Sequence, residues 1–156
     1  MLTERDYPVL TALARFFVLT RQMIQVLCYL SDQDGRLTRR RLSVLCRDGY
    51  LKRLTLQLIN PRDSVPSPIY VLGPRGPQFL AEYFADDRYL LKPTSVARPA
   101  QLLHYIAVAK THALLRQAIE HSPVELVSWF HEEEVVNVDE RNHKKHFKLF
   151  TELMKQ

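Results

Sequence analysis

The sequence predicts an α+β fold, mainly α: three helices, then a β-hairpin, then a mostly helical C-terminal extension. Three observations predict it. Apolar residues recur at helical spacing through the first third of the chain. Leu54, Leu56 and Leu58 then alternate with Thr55 and Gln57, which is strand periodicity. Between them, the stretch from Gly35 to Tyr50, GRLTRRRLSVLCRDGY, reads as a short helix with a basic face and a leucine face.

Thr3 to Leu19 reads as the first helix, with Thr3 as N-cap and Asp6 three residues on, a weak capping box. Pro8 marks an alternative start. Val9, Leu10, Leu13, Phe16 and Phe17 supply its core face. Thr20 caps a second helix over Arg21 to Leu30, with Met23, Ile24, Leu27 and Cys28 as its apolar stripe. Ser31 to Gly35 is a turn by composition.

The basic helix follows, with Thr38 as its expected N-cap and Asp48-Gly49 as its end. At 100° per residue, Thr38, Leu42 and Leu45 share one arc. Arg39, Arg40, Ser43 and Arg47 share another, and Arg41 sits apart towards Val44. Leucines that dock a helix, with arginines on its outer side, suit major-groove reading. Two helices joined by a turn, the second basic, form the helix-turn-helix pattern.

Tyr50 to Asn60 reads as a strand, residues 61–68 as a proline-rich loop, and Ile69 to Leu72 as the returning strand. Three helices plus this hairpin make a winged helix-turn-helix. Pro77 opens another helix, with Phe79, Leu80, Tyr83 and Phe84 at helical spacing. Residues 86–99 read as a linker. Ala100 to His121 is the longest helical pattern, apolar over more than half its circumference; it either bridges to a partner subunit, with Leu102, Leu103, Ile106 and Leu114 as candidate dimerisation residues, or packs within the chain between the winged helix and the tail. Val124 to Phe130 is ambiguous, since Ser122 to Glu125 resembles a helix start while its apolar residues are strand types and favour a strand; residues 135–138 read as another strand, and His143 to Met154 as a closing amphipathic helix. The expected organisation is therefore a winged-helix domain over 1–85, a linker over 86–99 and an extension over 100–156.

The formal net charge is +5, and all of that excess lies in the first 60 residues, which hold ten Lys/Arg against five Asp/Glu. A basic half favours a polyanionic partner such as nucleic acid. The basic helix lacks the broad apolar face of an interfacial membrane helix. The N-terminal residues MLTERDY carry no leader-type apolar run, and Val9 to Thr20 is too short to span a bilayer. Cys28 and Cys46 each sit within an apolar helical pattern, as buried reduced thiols do in a cytoplasmic protein.

The runs LTRQMIQVL, RRRLSVLCRDGYLKRL and IYVLGPRGPQFL resemble the winged-helix start of the replication-relaxation family. Arg41-Leu42, Leu45 and Gly49-Tyr50-Leu51 match one of its patterns, and Tyr70, Leu72 and Gly76 another. His104 to Leu115, and Trp129 with Glu132 to Glu134, match later ones, so the resemblance covers roughly residues 3 to 135. It implies a DNA-associated protein of bacteria, plasmids or phages, linked to plasmid replication and relaxation.

The residues thus point to sequence-specific binding of double-stranded DNA by a homodimer, as a transcriptional regulator or a replication or plasmid-maintenance accessory protein. Arg21, Arg39, Arg53 and Arg62 are assigned to phosphates, and Arg40, Ser43 and Arg47 to bases, with Thr38 beside them. The alternatives are a winged-helix protein-interaction module and a remnant of a nuclease-like DNA-processing protein. The nuclease reading uses Glu132, Glu133, Glu134 and Asp139 with Lys144 and Lys145, but their spacing matches no defensible Mg²⁺ motif. His143 and His146 share a helix face without a third ligand, so no metal and no cofactor are expected, and no enzymatic activity.

Overall fold

The computed structural model describes residues 2–55, 68–95, 99–120 and 122–130. A short 3-10 turn, Glu4–Asp6, leads into α1 (Tyr7–Phe16). The remaining elements are β1 (Leu19–Thr20), α2 (Arg21–Cys28), α3 (Arg36–Arg47), β2 (Leu51–Thr55), β3 (Pro68–Leu72), α4 (Arg75–Phe84), a 3-10 helix (Asp87–Leu91) and α5 (Pro99–Glu120). The fold is α+β and mainly helical, with one three-stranded antiparallel sheet in the order β1-β3-β2. The chain divides into a compact unit over Met1–Ser122 and a second unit over Pro123–Gln156.

Within the first unit, α1 is held at its start by Asp6, whose carboxylate accepts the Thr3 N–H at 2.7 Å and the Thr3 hydroxyl at 2.9 Å. The helix stops at Phe16 because Phe17 takes a positive φ of 62°. The chain then turns extended, and Leu19 pairs with Tyr70 and Thr20 with Ile69. This strand corrects the expectation of a helix through Leu19. Thr20 caps α2, its hydroxyl accepting the Met23 N–H at 3.3 Å.

The hairpin pairs Leu51 with Leu72 through to Thr55 with Pro68. Its tip lies outside the described residues, and with it Leu56, Leu58 and Arg62. The returning strand and α3 meet through two glycines. A Cβ on Gly73 would lie 2.4 Å from the Gly49 carbonyl oxygen, so only hydrogen fits there. Gly49 itself has a φ of +80°, which ends α3 in the left-handed region. At Gly76, in the pattern with Tyr70 and Leu72, a Cβ would lie 2.8 Å from the Tyr50 carbonyl oxygen.

One apolar core joins α1, α2, α3, the hairpin, α4 and α5, with Leu10, Leu13, Ile24, Leu42, Leu45 and Leu80 at most 1% exposed. A smaller cluster buries Leu102 of α5 against Val18, Ile69 and Val71. Helix α5 therefore belongs to the first compact unit, not to a separate extension, and the expected linker contains the Asp87–Leu91 3-10 helix.

Two of the four expected dimer residues are corrected by that packing. Leu102 is buried and Ile106 is half-buried against the chain's own core. Leu103 and Leu114 remain 50% and 55% exposed.

In the second unit, residues 123–130 are irregular, which corrects the expected strand over Val124 to Phe130. Val124, Val127 and Phe130 are exposed there. The expected strand over 135–138, the helix over 143–154, the acidic group around Glu132 to Glu134 and the His143/His146 pair all lie outside the described residues. Among the described residues, no helix is long and apolar enough to cross a membrane.

Candidate nucleic-acid interface

Helix α3 is held by acids it does not itself carry. Asp32, in the turn before it, accepts the Leu37 N–H at 3.2 Å, the Thr38 N–H at 2.7 Å and the Thr38 hydroxyl at 2.6 Å. A carboxylate on these first N–H groups does the work of an N-cap and complements the helix dipole. The Thr38 bonds hold the Asp32 carboxyl below the usual carboxylate range. Two expectations for Thr38 are thereby corrected. The helix begins at Arg36, with Gly35 as its N-cap. Thr38 is 0% exposed, so it has no surface to offer a nucleic acid.

A second acid fixes the helix in rotation. Arg41 reaches back to α1, where its Nε donates to Asp6 Oδ1 at 2.9 Å and its Nη2 to Asp6 Oδ2. Tyr29 OH donates to the same carboxylate at 3.4 Å. Burial of Asp6 raises its pKa, but the Arg41 and Thr3 hydrogen bonds outweigh it and leave the group below its ordinary value. With Arg41, Leu42 and Leu45 turned inward, the opposite side of α3 has to face solvent.

That side carries Arg39, Arg40, Ser43 and Arg47, all exposed. Arg36 joins them at the same helical spacing, i, i+4, i+7 and i+11 through Arg40, Ser43 and Arg47. The sequence reading missed it because it placed the N-cap at Thr38, three residues late. Arg36 Nε lies 3.1 Å from Asp34 and Arg47 Nε 2.9 Å from Asp48, exposed pairs of the kind that contribute little to stability.

Beside α3 lies a cleft of about 300 Å³. Arg21 enters it from the start of α2, Arg39 and Ser43 from α3, and Arg53 from β2. Tyr70 and Pro68 of β3 and Leu42 and Cys46 of α3 complete it. The two-residue strand β1 explains how Arg21 gets there, because pairing Thr20 with Ile69 sets the first residue of α2 beside the hairpin. Four of the sequence-predicted residues therefore line one cleft, and Arg40 and Arg47 stand on the same helix outside it. Tyr70 was not among the predicted site residues; the structure pairs it with Arg53 in the ladder, and its sequence signal was the family pattern it shares with Leu72 and Gly76.

Among the described residues the cleft offers cationic and hydroxyl donors and no carboxylate, a composition that suits an anion. Cys28 and Cys46 are free thiols. Burial pushes the Cys28 thiol up to about 12 and also raises Cys46, so neither is an activated nucleophile. Among the described residues, no group of three or more His, Cys, Asp or Glu is placed to hold a metal ion.

Fold and site together define a small α+β protein whose basic helix, second-helix start and hairpin share one cationic cleft. Residues 10–152 match the replication-relaxation family, and the chain belongs to it. No curated protein and no solved structure matches the chain.

Proposed function

We propose that this chain is a winged helix-turn-helix protein that binds double-stranded DNA in plasmid replication or maintenance, with α3 as the reading helix. The observation that carries the reading is the convergence of Arg21, Arg39, Ser43 and Arg53 on one cleft, next to the exposed arginines of α3. In this reading Arg21, Arg39 and Arg53 grip phosphates, and Arg40, Ser43 and Arg47 face base edges. Family membership supports the association with replication. A single short helix contacts few base pairs, so a two-fold pair is the expected binding form. Leu103 and Leu114 on the exposed side of α5 are its candidate seam.

The test is fluorescence anisotropy on replicon fragments over a salt series, with random duplex as competitor. A discrete fragment should survive competition, and log affinity should fall linearly with log salt at about 0.9 per phosphate neutralised. Replacing Arg39, Arg40 and Arg47 together by alanine should abolish retention of the fragment while the thermal melt is kept. A folded triple variant that still holds the fragment normally refutes the assignment of α3.

A further inference from the structure

Tyr70 is built into the cleft beside α3 in a way that packing alone does not require. Its ring belongs to the main core with Leu42 and Leu45, and the residue is 6% exposed. In the ladder it lies opposite Arg53, and the next pair on that face is Leu51 with Leu72, both buried in the same core. Strand alternation therefore turns Tyr70 and Arg53 the same way, and both line the cleft. The Tyr70 hydroxyl has no hydrogen-bond partner among the described residues. A buried ring gains nothing from such a hydroxyl, since phenylalanine would fill the same space without it. The phenol is also a donor at neutral pH: burial pushes its pKa up, and the charges of Arg53 and Arg21 only partly offset the rise.

The arginines around it are uncommitted. Arg41, Arg47, Arg75 and Arg88 each donate to an acceptor within the chain. The guanidiniums of Arg21, Arg39 and Arg53 make no hydrogen bond or ion pair among the described residues. They come from three different elements, the start of α2, α3 and β2, which meet at this cleft. Three guanidiniums and a phenol offer more donors than the two oxygens of a carboxylate can accept. A phosphoryl group presents up to four oxygens in a tetrahedron, and the planar guanidinium fork matches pairs of them.

We propose that this cleft is a phosphoryl-binding site in its own right, with the Tyr70 hydroxyl donating to the group that Arg21, Arg39 and Arg53 hold. The phosphoryl group comes either from a duplex backbone or from a free phosphorylated ligand. The backbone source rests on the reading of α3 as a duplex-binding helix; the free-ligand source does not.

The test uses the full chain and two probes at one fixed ionic strength: inorganic pyrophosphate by titration calorimetry, and a short fluorescent duplex by anisotropy. Tyr70→Phe keeps the ring in the core and removes only the hydroxyl, so its thermal melt should match the parent's. Its affinity should fall about tenfold, the usual worth of a hydrogen bond to a charged group. Arg53→Met, at an exposed position of β2, should fall at least as far, and it is read instead if Tyr70→Phe melts early. A fall for the duplex alone assigns the site to the DNA backbone, a fall for pyrophosphate alone to a free ligand, and a fall for both to one site that serves either.

The proposal is overturned if Tyr70→Phe folds and binds both probes like the parent, or if neither probe binds the parent. Failure of the α3 reading looks different. Arg40 and Arg47 lie outside the cleft, so a folded Arg40→Ala/Arg47→Ala variant that keeps duplex binding counts against base reading by α3, while the Tyr70→Phe result still decides the cleft.

Discussion

Replacing Asp6 by alanine removes the carboxylate that ties α3 to α1. Asp6 is 0% exposed and takes hydrogen bonds from the Thr3 backbone and hydroxyl, from Tyr29 and from two nitrogens of Arg41. The Arg41 side chain is 17% exposed, so without Asp6 it becomes a largely buried cation that has lost the carboxylate it is hydrogen-bonded to. Breaking such a pair from one side costs about 3–5 kcal/mol, and the partial exposure of Arg41 favours the lower end. Against a typical domain stability of about 5–15 kcal/mol, the variant still folds. Its Tm should fall by roughly 10–15 °C for a compact unit of this size.

Arg41→Met alone should cost less, since Asp6 keeps three other donors. The double variant Asp6→Ala/Arg41→Met should be more stable than Asp6→Ala alone, because both charges have then left the site. Denaturant melts of the four proteins close a double-mutant cycle. A purely additive cycle, or an Asp6→Ala protein that melts with the parent, would refute the argument that this pair orients α3.

The pH dependence gives a second check on the same pair. The folded-state pKa of Asp6 is depressed, so its contribution is present above the unfolded carboxyl value of about 4 and is lost as pH falls through the lower folded value. The parent should lose stability in that acid window, and Asp6→Ala should not show this component.

Gly73→Ala places a Cβ 2.4 Å from the Gly49 carbonyl oxygen, backbone against backbone, and should cost about 3 kcal/mol or more in a urea melt. Asp32→Ala strips the first turn of α3 of its acceptor; thermal melts should show a lower Tm, and duplex affinity should fall because the arginines lose their support. Leu42→Ala opens the core under α3 and should cost about 2–5 kcal/mol in a denaturant melt. Leu114→Glu should leave the melt unchanged and abolish self-association in sedimentation, whereas Leu102→Glu should unfold the chain, because only the second side chain lies in the core.

Local signals carried most of the helices and the hairpin. The cap at Thr20, the leucine arc of Leu42 and Leu45, and the stop at Gly49 each depend on a few neighbouring residues, and each is where the spacing put it. Strand β1 was not legible, because Phe16 to Leu19 continues an apolar helical run. What ends that helix is a positive φ at a phenylalanine, which nothing local announces.

The Asp32 cap was hidden for a related reason. Thr38 is a good capping type, but a folded turn brings an acid from six residues back, and the threonine becomes a donor instead. Arg41 stood out as lying off the basic face; its partner Asp6, 35 residues away, could be known only once α1 and α3 were packed. The cleft was half legible. Arg39 and Ser43 follow from helical phase, whereas Arg21 and Tyr70 arrive through sheet pairing that only the fold supplies.

The junction between α3 and the end of the hairpin has one more consequence. The Gly73 N–H donates to the Tyr50 carbonyl at 2.7 Å, the Arg75 N–H to the Gly49 carbonyl at 3.2 Å, and the Arg75 guanidinium lies 4.7 Å over the Tyr50 ring. These bonds weld the last turn of the helix to the base of the hairpin, so the two move as a single jaw. A jaw without a hinge cannot widen or narrow to suit what it grips. If the chain reads a duplex as proposed, groove width is a fixed gauge, and any sequence whose grooves do not already fit must be bent to match at its own elastic expense.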